Sequence, residues 1–166
     1  MLPGPLDTMM WQGGVYAVAA STNVQLLWYR EDLVPIPPKT WDEMLEMAEA
    51  LEAAGKPHVI AFTGAQYEGL VVGFNTLLAS YGGALLSEDG TRVTVDEDTI
   101  RALSLLKKFA TSAGASETLS NAHEAEAQTQ MENGYAAFEL NWPYVRAAMQ
   151  QNNPQMMKVF RFTHYP

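Results

Sequence analysis

The chain has no cysteine among its 166 residues. That excludes a disulfide framework and a thiolate metal site, and it leaves the compartment open. Positive charge is also scarce. Ten Lys and Arg stand against nineteen Asp and Glu, for a formal net charge of −9. Neutralising phosphates takes clustered cations, so the balance argues against a nucleic-acid partner. The one basic pair, Lys107-Lys108, reads as a solvated helix face. Long hydrophobic runs are missing too. The stretch around Leu70–Leu78 is too short to cross a bilayer and is interrupted by Gly73 and Asn75. The first residues, MLPGPLDTMMWQGG, lack the basic start and apolar core of an export signal. As it stands, the polypeptide is expected to stay where it is made. GxGxxG, P-loop, GxSxG and HExxH motifs are all absent, as are internal repeats and low-complexity tracts.

What is present is an ordinary globular composition, 48% hydrophobic and 17% charged, on a chain long enough to bury a core as one domain. Residues 1–14, rich in Pro, Gly and Met, are expected to be irregular, and 15–166 to form a single α/β unit. Val15–Ala19 and Val24–Tyr29 read as short strands around a polar turn of Ser21, Thr22 and Asn23. Three prolines within residues 35–38 exclude helix there. Thr40-Trp41-Asp42-Glu43 fits a capping box, and the helix behind it places Trp41, Met44, Leu45, Ala48 and Leu51 on one face, with Gly55 ending it. His58–Thr63 reads as a buried strand and Gln66–Ser80 as an interior helix, apolar nearly all round. Glu88-Asp89-Gly90 marks a turn in a small hairpin. Asp96 caps a helix expected to turn Ile100, Leu103, Leu106 and Ala110 inward, ending at Gly114. A polar helix over His123–Asn133, a strand over Tyr135–Asn141, a helix opened by Pro143 and a last strand over Lys158–Thr163 complete the reading. Alternating strands and helices predict an α/β layered fold with a mostly parallel sheet. Ligands of such sheets collect at the carboxyl ends of strands, which picks out Thr22-Asn23, Thr63–Tyr67 and Asn141–Tyr144 as one candidate rim.

Trp142 and Tyr144 flank Pro143, which stiffens the backbone that presents them. Aromatic rings suit the C–H faces of a pyranose, and Asn, Asp, Glu and Arg suit its hydroxyls. Composition leaves packing and binding both open for this pair. Asn23 equally fits a turn-former bonding its own backbone, and Tyr67 fits a cover for the apolar helix behind it. Trp28, Tyr29 and Trp41 read as structural. His123, Glu124 and Glu126 could supply metal ligands, but a polar helix start is the reading adopted. No metal or other cofactor is implied.

Two segments, LLWYREDLVPIPPKTWDE and MENGYAAFELNWPY, carry a family resemblance. With the order of short motifs from about Gly14 to about Gln150, the chain resembles extracellular solute-binding proteins of the sugar ABC-transporter type. Its look is closest to the trehalose-binding lipoproteins of actinobacteria. The resemblance implies one lobe of a two-lobed periplasmic-binding-protein type II fold, namely the larger part of the C-terminal lobe. It implies a non-catalytic role in holding a disaccharide such as trehalose or maltose. It also implies an extracytoplasmic parent, periplasmic or lipid-anchored, that pairs this lobe with an N-terminal one and delivers sugar to a membrane permease. The missing export signal then suggests a fragment, which alone would bind sugar weakly or undetectably. By position, the family's cleft residues fall on Asn23, Trp142, Tyr144, Tyr67 and Glu124. Asn141-Trp142-Pro143-Tyr144 matches an Asn-Gly-Pro-Trp-like turn, with Trp in place of glycine and Tyr in place of tryptophan.

Two other readings compete. A glycosidase-like enzyme could use Glu124 and Glu139 if both carboxylates face one sugar. A free-standing interaction domain could keep the lobe and use the surface exposed by a missing partner lobe.

Overall fold

A computed structural model describes residues 3–166. Four strands form the main sheet: β3 (Leu26–Arg30), β4 (Val59–Ala61), β5 (Ala136–Asn141) and β6 (Phe160–Thr163), in spatial order β4-β5-β3-β6. β5 lies inside, and all six of its residues are buried. A strand covered on both faces reads as a nearly continuous apolar run, which is why AAFELN shows little alternation.

The sheet is mixed, and this corrects the expectation of a mostly parallel one. β4, β5 and β6 run the same way, but β3 runs against them and sits between β5 and β6. Two of the three pairings are therefore antiparallel. The cause is the connector after β3. Its prolines keep residues 33–38 out of helix, so the chain climbs beside the sheet before α2 (Trp41–Ala53) descends. At the top of that climb Trp41 meets Tyr165, ring centroids 5.4 Å apart. At the bottom Leu33 to Ile36 lie beside Met47 to Lys56. The ascent cancels the helix, so β4 starts where β3 stopped and runs back.

Helices cover both faces. Leu27, Tyr29, Ile60, Phe62, Phe138 and Leu140 face α2, α3 (Glu68–Ser80) and α4 (Glu97–Thr111). Trp28, Ala61 and Phe160 face α5 (Glu124–Glu132) and α6 (Tyr144–Asn152) through Ala127, Met131, Val145 and Met149. α2 forms as its sequence dictates. Thr40 Oγ1 accepts from Glu43 N at 3.1 Å, while Glu43 reaches back to the Lys39 amide at 2.7 Å, and the five expected residues are buried. Gly55 takes the left-handed conformation that ends the helix, φ +64°.

Four other expectations are corrected. Residues 16–25 are not a strand and turn. Only Gly14–Val15 (β2) pairs, with Met10–Trp11 (β1), around Gln12 and Gly13 at positive φ. The rest runs exposed into β3. A five-residue helix, α1 (Pro3–Asp7), precedes that hairpin, where irregular chain was expected. α3 is not interior: Gly69, Leu77 and Leu78 are buried, whereas Val71 is 52% exposed. Its last residue, Ser80, meets Trp41 of α2, while further back Thr76 donates to Gln25 and the Gly69 carbonyl accepts from the Thr63 hydroxyl, at the ends of the strands. α4 is turned relative to its expected face. Thr99, Ala102, Leu105 and Phe109 go inward, and Ile100 and Leu103 stay exposed. Two apolar stripes overlap on this helix, and the bulk of Phe109, packed against Trp41 and Phe62 at 5.8 and 5.6 Å, decides between them.

Candidate functional site

The reversal of β3 gathers the chemistry at one end of the sheet. Leu26 pairs with Asn141 and Leu27 with Thr163, so the start of β3 lies level with the ends of β5 and β6. Ala61 pairs with Glu139, which brings Phe62 to Tyr67 to the same rim.

At the centre of this rim is a hydrogen-bonded cluster. The Tyr67 hydroxyl donates to Glu124 Oε2 at 2.6 Å. Asn141 Nδ2 donates to the Glu124 carbonyl at 3.0 Å, and Asn141 Oδ1 accepts from the Trp142 amide at 2.8 Å. The His123 ring tilts over Tyr67, centroids 4.4 Å apart. Tyr67 caps α3 from an extended backbone, and a methyl group on Gly69 would overlap its phenol, so only glycine leaves the ring room there. Tyr144, in the first turn of α6, is half-exposed beside the cluster.

Beside the cluster runs a groove of about 440 Å³, lined by Asn23, Gln25, Thr76, Trp142, His164 and Tyr165 among others. Asn23 is exposed, and its Oδ1 accepts from the next amide, Val24 N, at 3.0 Å. It therefore turns its own backbone while also lining the groove. The structure thus brings Tyr67, Glu124 and Tyr144 together around Asn141, and it joins Asn23 to them through Trp142. A larger groove of about 570 Å³ lies between α3 and α4. Its only aromatic wall is Phe62, which is buried, so it offers no exposed ring face and no amide side chain.

The rim's electrostatics suit a neutral, hydroxyl-rich ligand. Burial pushes the Tyr67 hydroxyl well above its ordinary value, and the adjacent Glu124 carboxylate pushes it further. Burial also pushes Tyr144 up, with the Glu139 carboxylate adding to it. For Glu124 burial pulls upward, but the Tyr67 hydroxyl, its own backbone amide and the Trp142 side chain outweigh it and hold the carboxyl below the usual range. The rim accordingly presents two neutral phenols, one charged acceptor, amides and an indole, and the residues named here include no Lys or Arg. Glu124→Gln is expected to lower the Tyr67 titration toward, but not to, its ordinary value of 10, because burial remains. Carbon-detected NMR of the tyrosine ring reads this directly, and an unmoved Tyr67 would contradict it.

Glu139 is placed differently. It is fully buried beneath Asn141, whose Nδ2 donates to Glu139 Oε1 at 2.8 Å. A dyad for glycoside hydrolysis needs both carboxylates against the sugar. Glu139 cannot reach one, so the Glu124/Glu139 pairing fails. Among the described residues no group of three or more His, Asp or Glu side chains could hold a metal ion. Among the described residues, too, no helix is long and apolar enough to cross a membrane.

Sequence reasoning missed the pivotal role of Asn141, although its place at a strand end before Trp-Pro was a usable signal. Thr76 and Tyr165 carried none, since one lies mid-helix and the other beyond the last strand.

A family model described as bacterial extracellular solute-binding protein matches residues 2–161. A probable ABC transporter-binding protein of Deinococcus radiodurans is 31% identical over 150 residues, covering 84% of this chain and 36% of that protein. Maltose-bound MalE3 of T. maritima superposes with a TM-score of 0.87 at 31% identity, over 99% of this chain and 44% of that one. A solute-binding protein of Thermotoga lettingae TMO, bound with alpha-D-tagatose, gives 0.83 at 22% identity over the same shares, a likeness of fold alone. The chain spans less than half the length of these relatives. Its α/β layers are those of one lobe of the periplasmic-binding-protein type II fold.

Proposed function

The chain belongs to the bacterial extracellular solute-binding protein family, and from that membership we propose that it is the larger part of the C-terminal lobe of a sugar receptor serving an ABC importer. The observation that carries this reading is the rim itself. It sets an indole beside neutral phenols, amides and one carboxylate, a set matched to a sugar's apolar ring face and its hydroxyls. Trp142 stacks on the ring, with Tyr144 and Tyr67 as further aromatic walls. Glu124 and Asn23 accept and donate hydrogen bonds. Polar contacts that a bound ligand covers select, because a wrong ligand leaves them unpaired. The ligand is a disaccharide of the trehalose or maltose type. The role is non-catalytic, and the parent works outside the cytoplasm, anchored or periplasmic, where closure of two lobes is sensed by a membrane permease.

One lobe supplies half of the contacts, so this chain alone is expected to bind weakly. The exposed Tyr16, Val18 and Val71 side chains are then surface that the rest of the parent covers. Saturation-transfer NMR with trehalose and maltose tests the site. Trp142→Ala is expected to weaken any observed binding roughly tenfold, about 1.4 kcal/mol. Binding that survives the substitution unchanged would contradict the assignment.

A further inference from the structure

Glu139 has no surface in contact with solvent, and its Oε2 is buried without a hydrogen-bond partner. Register with Trp28 and Ala61 places it on the sheet face covered by α5 and α6. The residue above it, Asn141, is fully committed. Its Nδ2 serves Glu139 Oε1 at 2.8 Å and the Glu124 carbonyl at 3.0 Å. Its Oδ1 accepts from Trp142 N at 2.8 Å, and its carbonyl accepts from Trp28 Nε1 at 3.1 Å. A shift at one contact must therefore be passed to the others.

We propose that Glu139 is a positioning residue for the rim, acting through Asn141 to set where Trp142 and Glu124 sit. Glu139 itself touches no part of the rim surface. Its influence depends on its charge. Burial pushes its carboxyl up to about 8; the Asn141 bond opposes this, and the Glu132 carboxylate reinforces it. The other ionisable groups toward this region are acidic or phenolic: Glu124 and Glu132 on α5, Tyr144 on α6 and Tyr165 after β6. Arg30, further along β3, is bound to Asp32 at 2.7 Å, with a longer bond to the Gly134 carbonyl. His123, at the start of α5, lies tilted against the Tyr67 ring. Glu139 is thus an uncharged acid near neutrality. On ionising, its bond from Asn141 becomes charge-assisted and tightens. Asn141 is drawn inward, and the Trp142 amide and the Glu124 carbonyl follow.

The test needs no ligand. In the 166-residue chain, the Glu139 carboxyl carbon and the Trp142 backbone amide are followed by NMR from pH 5.5 to 9.5. Both are expected to titrate with one shared midpoint near 8. Glu139→Gln keeps the acceptor for Asn141 and is expected to hold the Trp142 signal at its low-pH position throughout. A Glu139 midpoint in the ordinary carboxylate range, a Trp142 amide that does not follow Glu139, or a titration that survives in E139Q would each overturn the proposal. If E139Q does not fold, the shared midpoint in the unsubstituted chain decides.

The consequence for ligand rests on the sugar-site reading. Trehalose or maltose affinity should differ between pH 6.5 and 9 in the unsubstituted chain and not in E139Q. Absence of sugar binding at either pH would fail the site reading while leaving the Trp142 result standing.

Discussion

Trp28→Ala is expected to cost about 3–5 kcal/mol, a large share of a small domain's stability. Trp28 is 2% exposed. It stacks on Phe160 with centroids 5.0 Å apart at 11° and meets Phe162 at 5.2 Å. The substitution leaves a cavity between the sheet and α5/α6 and orphans the Asn141 carbonyl at the rim. Trp28→Phe keeps most of the packing and loses the donor, so roughly 1 kcal/mol is expected. Urea denaturation of the three chains separates the terms through their midpoints at constant slope. A loss below about 1 kcal/mol for alanine would mean that this face of the sheet is not the tight core described.

The second large effect is a fall in stability with rising pH. The Glu139 carboxyl is raised in the folded chain from an ordinary 4.5 to about 8. Between those values the folded state holds a proton that the unfolded state has released. The contribution is therefore fully present below about 4.5 and is lost as pH climbs to about 8. The total is on the order of a few kcal/mol. Asp32, held low by its bond from Arg30 against the pull of burial, and Asp96, held low by the Thr99 amide, act with the opposite sign. Their contributions stand above the ordinary 3.8 and fade only in more acid solution. From about pH 5 to 8 these two carboxyls stay ionised in both states, and the difference between the unsubstituted chain and Glu139→Gln assigns the decline to Glu139. Stability measured across this interval should decline in the unsubstituted chain and stay nearly level in Glu139→Gln. Parallel curves would remove Glu139 as the cause.

The same two residues mark how far the sequence could be read. α2 was legible because its signals are local: Thr40, Glu43, a 3.6-residue apolar stripe and Gly55 all concern one helix. Two rim segments, Thr63–Tyr67 and Asn141–Tyr144, were legible as strand ends, whereas Thr22-Asn23 precedes β3 and reaches the rim only through the reversal of that strand. The face of α4 was not, because Ile100/Leu103 and Leu105/Phe109 offer two stripes, and only the packing of Phe109 on Trp41 and Phe62 chooses. The direction of β3 depends on a connector and a helix cancelling in length, which no local pattern encodes. Glu139 read as half of a catalytic pair because a carboxylate's burial and partners are tertiary facts. The resemblance in the NWPY turn pointed to Trp142 and Tyr144 but passed over Asn141, whose bonds reach Trp28, Glu124 and Glu139, residues as far as 113 positions away.

On the proposed function, the rim around Trp142 is where this lobe meets sugar. Chemical-shift mapping of the chain against high concentrations of trehalose and of maltose tests it most directly. The account predicts changes confined to Trp142, Tyr144, Tyr67, Glu124 and Asn23. Changes centred instead on the groove at Leu103 and Leu119, or no change at the rim with either sugar, would contradict it.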